Sequence, residues 1–526
     1  MNTIPETLDT LGTGAAASWV STNADWLKLV FDAHEAWLGT AEVEKFQTAY
    51  DGKLSSIEDR DKTRGDDVNH KLQASMAGLI IDTVVDYMLG KHIVWTVDAT
   101  STKAVEAGKE VTVDEALVEM YRNDVVDVLA SDAVHRVLCE QLRQGSISGY
   151  SPIIWWVDEY GEIGLDEYPV QEVVPVYDTR GKLRLVVRKY LVEEGDTKFT
   201  KVEVYDKRYV TVYVGNDKGE ELKLDPLELV NPVEHKAARI PVSIFTNGTP
   251  ANYDARKLKA GTSDLGNGVM SLIENYADVM SDKANTVENL LDQYLLLAGV
   301  DVDEKEVLKM RKARAIALKS KESSASFIAP EQSDEAIEHH LDRVQSTIHD
   351  TTFTPKLNGI SAATAMEIRM KYSSLDIKAG KKQTYFSESI KASVGIVTDF
   401  LNSRKLYQAG KADYYDLLVV KPLTDAKAVV TPGLYSADWL KFTINRNLPQ
   451  NFLEIATIVS TLAGIVPDSY LYELLWFIDD PVAALEEMKV QKDEASKQAL
   501  TAMGYSGEFA STGAAGSGTG AAGTGA

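Results

Sequence analysis

The stretch Gly268-Val-Met-Ser-Leu-Ile-Glu-Asn-Tyr-Ala-Asp-Val-Met-Ser-Asp-Lys-Ala-Asn-Thr-Val-Glu-Asn-Leu-Leu-Asp-Gln-Tyr-Leu-Leu-Leu-Ala298 decides how the chain is read. Apolar residues fall at Val269, Leu272, Ile273, Tyr276, Val279, Met280, Val287, Leu290, Leu291, Tyr294 and Leu295. The steps are mostly three and four, the repeat of one helix face. Between them lie Glu274, Asn275, Asp278, Ser281, Asp282, Lys283, Asn285, Glu288, Asn289 and Asp292. A helix from Gly268 to Ala298 would be roughly 45 Å long at about 1.5 Å per residue. Such a strut, with a polar second face, meets water on one side and a neighbour on the other.

Downstream, Gly299 to Pro330 changes character: a short helix at Asp303–Lys312, then strand-like Arg314–Leu318 and Ala325–Ile328. Basic residues gather here, at Lys309, Arg311, Lys312, Arg314, Lys319 and Lys321. They make either a solvated face or a contact surface for an acidic partner or DNA phosphate. Ser333–Ile348 is helical, with Ala336, Ile337, Leu341, Val344 and Ile348 on one side. Asp350-Thr-Thr-Phe-Thr-Pro-Lys-Leu-Asn-Gly359 is expected to be a loop, because Pro355 and Gly359 oppose helix. It is an ordinary connector or a functional finger carrying Phe353, Lys356 and Leu357. Ser361 is a candidate N-cap for a helix from Ala362 to about Leu401, with Gly380 and Gly395 as points where it could bend.

Upstream, residues 1–60 form an acidic helical arm with Trp19, Trp26, Leu27, Leu29, Val30, Phe31 and Trp37, expected to pack on the body. An amphipathic helix spans Asp66 to Gly90, with Leu72, Met76, Leu79, Ile80, Val84 and Met88 buried and Gly90 as its stop. A strand at Ile93–Val97 and a helical region over 113–144 follow. Tyr150 to Phe245 is β-rich, with runs at Ile153–Val157, Val170–Tyr177, Leu183–Leu191, Lys198–Tyr205, Tyr209–Val214 and Glu220–Leu224. Turns such as Asp158–Gly161 and Asn216–Gly219 separate them, which predicts an antiparallel sheet of hairpins. With the preceding helices this makes an α+β domain. Residues 403–497 are mostly helical, with an extended Trp439–Asn445 and helices at Phe452–Leu462 and Ser469–Trp476. Beyond Gly507 the chain is Gly, Ala, Ser and Thr, and a tail such as Gly513–Ala526 cannot bury enough surface to order itself.

The 526 residues, 44% hydrophobic, suffice for a sizeable core and more than one structural unit. Lys+Arg 55 against Asp+Glu 79 gives a formal charge of −24. Such a chain is no general sink for nucleic acid, whose phosphates are neutralised by Lys and Arg, but it could line a path along which DNA slides. The single cysteine, Cys139, excludes an internal disulfide and fits a reducing cytoplasm. No apolar run reaches about 18 residues, so no membrane span is expected. The opening MNTIPETLDT lacks the pattern of a signal peptide.

Catalytic constellations do not emerge. No GxxxxGK[ST] occurs, so no nucleotide cofactor is expected. Gly145-Ser-Ile-Ser-Gly149 mimics a nucleophile elbow but places Ile147 at its centre. His339 and His340 are adjacent on a helix and point about 100° apart, so they do not converge on a metal. Asp479-Asp480-Pro481 is a helix-start signal rather than an acidic metal site. Asn247-Gly248-Thr249 matches a glycosylation sequon with nothing to indicate secretion.

The ordered set of segments resembles the portal proteins of tailed double-stranded DNA bacteriophages with long non-contractile tails. The residues that carry the likeness are Val84-Val-Asp-Tyr-Met-Leu-Gly-Lys91, Tyr168-Pro-Val-Gln-Glu-Val-Val-Pro-Val-Tyr-Asp178, Val187-Arg-Lys-Tyr190, Ile240-Pro-Val-Ser-Ile-Phe-Thr-Asn247, Ser271–Asp282, Asn447-Leu-Pro-Gln450 and Asp479-Asp-Pro481. The likeness covers roughly residues 65 to 485. It departs at Ser361-Ala362, where a Ser-Gly pair is usual.

The resemblance implies an α+β portal fold of wing, stem, clip and crown around a central channel. Residues 1–261 would be the wing, 262–298 the first stem helix, 299–332 the clip and 333–349 the second stem helix. Residues 350–360 would be a tunnel loop reaching the DNA channel through Thr352, Phe353, Thr354, Pro355, Lys356, Leu357 and Asn358. A long wing helix at 361–402, a crown at 403–497 and a disordered tail at 498–526 complete the scheme. The basic cluster would face the connector. The implied partners are eleven further copies in a twelve-fold ring, major capsid and scaffolding proteins, the terminase large subunit, the head–tail connector or adaptor protein and passing double-stranded DNA. No membrane, metal or cofactor is implied. The protein would be assembled in the host cytoplasm and reside at one capsid vertex. Alternatives are another neck or head–tail adaptor ring and, against the missing P-loop, a DNA-packaging enzyme subunit.

Overall fold

A computed structural model describes residues 24–38, 40–61, 69–98, 104–106, 109–111, 114–158, 160–178, 181–217, 219, 221–228, 230–248, 261–291, 294–298, 303, 305, 324–328, 334–356, 365–410, 434–447, 457, 459–473, 475, 484–485, 487–492 and 494–495. Helices α1 (Ala24–Leu38), α2 (Thr40–Tyr50), α3 (Ser55–Glu58) and α4 (Met76–Leu89) come first. Strand β1 (Val94–Val97) and the small hairpin β2 (Ala104–Glu106) and β3 (Lys109–Val111) lead to α5 (Glu115–Leu129) and α6 (Asp132–Ser148). Then come β4 (Tyr150–Val157), β5 (Ile163–Glu167), β6 (Val173–Tyr177), β7 (Leu183–Glu194) and β8 (Thr197–Tyr205). Strands β9 (Tyr209–Gly215), β10 (Lys223–Leu224), β11 (Val233–Glu234) and β12 (Val242–Thr246) follow. The remainder is α7 (Val269–Leu291), β13 (Tyr294–Ala298), β14 (Ser324–Ile328), α8 (Asp334–Thr352), α9 (Ala365–Gln408), β15 (Leu440–Thr443) and α10 (Asp468–Glu473).

Contacts divide the chain into two units. One comprises Met1–Ser361 and Arg369–Leu448, the other Ala362–Ile368 and Pro449–Ala526. The first holds nearly all the described core; the second contains α10.

The β-rich region forms two sheets rather than one. Strands β6 to β10 make an antiparallel sheet in the order β10-β9-β8-β7-β6, with β11 also on β9, while β12, β4 and β5 make a second. The hairpin reading captured the first sheet, because its neighbours are adjacent in sequence. Of the second it anticipated β4 and the turn after it but not the return of β12, because Val242 of β12 pairs with Ile154 of β4 across the whole of the first sheet in sequence. The buried run Tyr150–Trp155 marks β4 as a central strand with α6 on one face. Asp158 closes the expected turn, its Oδ1 accepting from the amides of Tyr160 (2.9 Å) and Glu162 (2.7 Å).

The main core gathers α4, α5, α6, α7, α8, α9 and β4 around Val84, Tyr121, Leu142, Trp155, Ile273, Ile348 and Phe386. The N-terminal arm packs on the body as expected: Leu27 and Val30 of α1 lie against Val174, Val187, Val202 and Tyr213 of the first sheet. Trp19 and Trp26 lie outside the described side chains.

Several boundaries differ from the expectation. Helix α4 begins at Met76, not Asp66, and Leu72 and Leu79 are 38% and 47% exposed rather than buried. The region 113–144 is two helices, broken at Ala130 and restarted by Ser131, whose hydroxyl caps the Val134 amide. The Gly145–Gly149 stretch is the last turn of α6 and its cap, Gly149 taking φ 94. A left-handed C-terminal glycine is a helix stop, not a nucleophile elbow. Strand β15 pairs with β1 in the extended segment expected at Trp439–Asn445. The helix expected at Phe452–Leu462 lies largely outside the described residues, as does the Gly/Ala tail.

Helix α9 runs unbroken through Gly380 and Gly395 for 44 residues, roughly 66 Å at about 1.5 Å per residue. A Cβ at Gly380 would meet nothing within 4 Å, whereas one at Gly145 would lie 2.3 Å from the ring of buried Phe245. Gly145 is therefore a close-approach position, and overpacking there outweighs any gain in helix propensity. Thermal denaturation should show Gly145→Ala destabilised by about 1–3 kcal/mol. Gly380→Ala should be neutral or stabilised by up to about 1 kcal/mol.

Candidate functional site

Helices α7 and α8 pack as an antiparallel pair. Val269, Ile273 and Ala277 of α7 and Val344 and Ile348 of α8 enter the main core. Toward the other end His340 Nε2 lies 3.1 Å from Asn275 Oδ1, and Lys283 pairs with Glu338. The polar second face of α7 is engaged by an earlier part of the same chain. Buried Arg60 donates to the Asp278 carbonyl (2.9 Å), contacts its carboxylate (3.2 Å) and pairs with Asp282. The His70 amide donates to Asn285 Oδ1 (2.6 Å), the Leu72 amide to Ser281 Oγ (3.0 Å), and Lys45 pairs with Glu274 at 2.8 Å. Lys45, Arg60, His70 and Leu72 thus clasp the strut, and the neighbour expected at this face lies partly within the subunit.

Helix α7 stops at Leu291, short of the expected Ala298. Tyr294–Ala298 is instead a strand, paired with Ser324–Ile328 in the register Tyr294↔Ile328 to Ala298↔Ser324. The leucines there fit a helical stripe and a strand equally in sequence; pairing with a distant segment decides between them. This hairpin encloses residues 299–323. The basic cluster Lys309, Arg311, Lys312, Arg314, Lys319 and Lys321 lies outside the described residues.

At the other end, α8 continues through Thr352, three residues into the expected loop. Thr352 and Thr354 are buried, 2% and 5% exposed. Thr352 Oγ1 donates to the Ile348 carbonyl (2.7 Å) and lies 2.9 Å from Thr354 Oγ1. The Thr354 amide donates to the His349 carbonyl (3.0 Å), and His349 Nδ1 donates to the Thr354 carbonyl (3.0 Å). Between the two threonines Phe353 adopts φ 59 and is 44% exposed. A left-handed non-glycine residue persists only where its surroundings enforce it, and here the inward-turned threonines leave the ring pointing outward. Lys356 is exposed and donates to Ser346 Oγ at 2.6 Å. Pro355 is half-buried. Of the seven residues expected in the loop, Phe353 and Lys356 are therefore presented, Thr352 and Thr354 shape the base, and Leu357 and Asn358 lie outside the described residues, as does Ser361.

The base is anchored by three residues that the sequence reading did not single out. Asp264 lies just before α7, and Lys378 and Lys382 lie one turn apart on α9. Lys382 Nζ donates to Asp264 Oδ2 (2.8 Å) and Ser146 Oγ (2.7 Å). Lys378 Nζ lies 3.2 Å from Asp264 Oδ2 and donates to the Thr352 carbonyl at 3.1 Å. Asn247 Nδ2 donates to Asp264 Oδ1 (3.1 Å) and the Thr262 carbonyl (2.7 Å). Asn247 is thus a buried structural residue, not a glycan acceptor. Burial alone would raise the Asp264 carboxyl, but the two ammonium groups and these hydrogen bonds together hold it well below the usual carboxylate range. Burial lowers Lys382 to about 8 against the pull of Asp264. The available signal was a pair of lysines four apart beside Leu375, Ala379 and Phe386 on an otherwise buried helix stripe.

The remaining candidates do not assemble. His339 is exposed and 3.6 Å from Glu335, while His340 turns to Asn275. Among the described residues no three His, Cys, Asp or Glu side chains are grouped to hold a metal, and no helix is long and apolar enough to cross a membrane. Asp479 and Asp480 lie outside the described residues.

The family described as Phage portal protein, SPP1 Gp6-like, matches residues 32–498. A portal protein of Bacillus phage SPP1 is 21% identical over 387 residues, covering 70% of this chain and 68% of the relative. A portal protein of Clostridium phage phiCD119 is 21% identical over 476 residues, covering 84% of this chain and 90% of the relative.

Removing the charge of a buried, paired carboxylate leaves its partners uncompensated. Asp264→Asn should therefore cost about 3–5 kcal/mol in chemical denaturation. Lys382→Met should cost less, because Asp264 keeps Lys378.

Proposed function

The chain belongs to the SPP1 Gp6-like phage portal protein family, and from that premise we propose how its parts serve the channel. Portal proteins form the ring-shaped channel of the capsid through which viral DNA is packaged and ejected; the role is structural, not enzymatic. On our reading residues 1–261 are the wing, and α7 and α8 are the two stem helices. The clip starts with β13, a few residues earlier than the 299–332 that sequence implied, and ends near residue 332. Residues 353–360 are the tunnel loop, α9 spans the wing, 403–497 form the crown and 498–526 a tail.

One observation supports this division: two antiparallel struts carry a β-hairpin at one end and an exposed Phe353 with Lys356 at the other. A ring of such subunits would place an apolar finger and one ammonium group beside passing duplex. Each subunit carries −24, so twelve would surround the duplex with a repelling field that prevents sticking. A few lysines then supply weak contacts to phosphates without reading sequence. The basic cluster of the clip fits an acidic docking surface, and we assign it to the terminase large subunit during packaging and the head–tail connector afterwards. Capsid and scaffolding proteins would surround the wing.

Negative-stain images of purified protein should show rings with a central hole; a lone subunit under assembly conditions would refute the reading. Lys356→Ala and Phe353→Ala should leave rings intact but lower packaging or retention of DNA, read as nuclease-protected DNA per particle. Normal DNA content in both would remove the loop from the channel. Charge reversal at Arg311, Lys312 and Arg314 should keep the ring and weaken connector capture in a pull-down. Undiminished capture would dismiss the clip assignment.

A further inference from the structure

The carbonyl end of α8 is capped from outside the helix. The last carbonyls of a helix have no intrahelical partner and carry the negative end of its dipole. Here Lys378, from α9, supplies both a donor and a positive charge to the Thr352 carbonyl at 3.1 Å. The same ammonium group reaches Asp264 Oδ2 at 3.2 Å, and Asp264 is in turn held by Lys382 and by Asn247. Its own amide donates to the Ser146 carbonyl at 2.9 Å, which ties it to the last turn of α6. Asp264 precedes the first residue of α7, Val269, with a single turn between them. Immediately after Thr352 comes Phe353, left-handed and exposed.

We propose that Lys378 is a positioning residue for the loop: with Asp264 it latches the end of α8 to the entry of α7, so that the base of Phe353 moves with the first stem helix rather than independently. This rests on the channel-loop reading above. Three features favour a latch over ordinary packing. The acceptor is a main-chain carbonyl at the point where the loop leaves the helix, so breaking it frees the loop without opening the apolar core. The side chain bridges two separately connected segments, and neither contact alone would couple them. Lys382 secures Asp264 without Lys378, so losing Lys378 leaves no isolated buried carboxylate.

The test uses assembled rings carrying Phe353→Cys as a labelling site. The thiol of native Cys139 is pushed up to about 11 by burial, so it reacts slowly with a maleimide and leaves position 353 readable. Adding Lys378→Met should preserve rings with only a modest drop in melting temperature, yet speed labelling at 353 several-fold and lower the anisotropy of an attached fluorophore. Lys378→Arg, which keeps charge and donors, should restore both. Unchanged labelling and anisotropy in Lys378→Met rings overturns the latch. If Lys378→Met does not assemble, Lys378→Gln, which retains a donor but no charge, carries the test with an intermediate shift expected. Failure of both to form rings also overturns the proposal, since Lys378 would then serve the fold at large. The channel reading fails separately, through normal DNA retention by Phe353→Ala particles with the latch intact.

Discussion

A buried carboxylate shared by two ammonium groups is the constraint on which the rest of the strut base depends. Asp264 cannot be neutral without leaving Lys382 uncompensated, and Lys382 is 3% exposed. Three elements meet there: the end of α6 through Ser146, the entry of α7 through Asp264 itself, and α9 through both lysines. Ionic groups in low dielectric accept few alternative arrangements, because every unpaired charge is costly. The node therefore sets a single register between the long helix and the strut. Apolar packing of Leu375, Ala379 and Phe386 would by itself allow more slippage.

From that anchor the strut pair acquires its direction. One side of α7 is buried against α8 and the core, while its acidic, amide and serine residues are taken by Lys45, Arg60, His70 and the Leu72 amide. The helix thus has two occupied faces within one subunit. A structural channel subunit needs stiffness rather than reactive groups, and the arrangement supplies it. The β13–β14 hairpin caps one end of the pair, and the threonine-lined turn caps the other. Thr352 and Thr354 satisfy their hydroxyls internally, and this pushes the intervening Phe353 into the left-handed region and outward.

Much of this was legible along the chain. Three-and-four spacing marked α7 and α8. Branched and aromatic runs and the Asn216–Gly219 turn marked the hairpins of the larger sheet, and the Asp158–Gly161 turn marked the β4–β5 hairpin of the smaller one. The acidic balance and the missing nucleotide and metal motifs pointed away from chemistry and toward a channel lining. Family resemblance, spread over short ordered pieces, agreed with the match over residues 32–498. Most of the local errors share one cause. Leu72 and Leu79 fit the stripe of α4 yet face outward, Tyr294–Ala298 fits the stripe of α7 yet pairs as a strand, and Thr352 was read as loop although α8 continues through it. For Leu72, for Tyr294–Ala298 and for Thr352 a distant partner overrode a local preference worth a fraction of a kcal/mol per residue, while Leu79 is left at the surface.

The sequence by itself determined most element types, the acidic charge and the order of segments, since these depend on neighbours three or four residues away or on composition. Only the tertiary structure decided that β12 returns to β4, that α7 ends at Leu291, and that Lys378, Lys382 and Asp264 converge beneath Phe353. Those outcomes join residues separated by tens to more than a hundred positions. They are fixed by pairing of polar groups in three dimensions, for which a linear pattern holds no period.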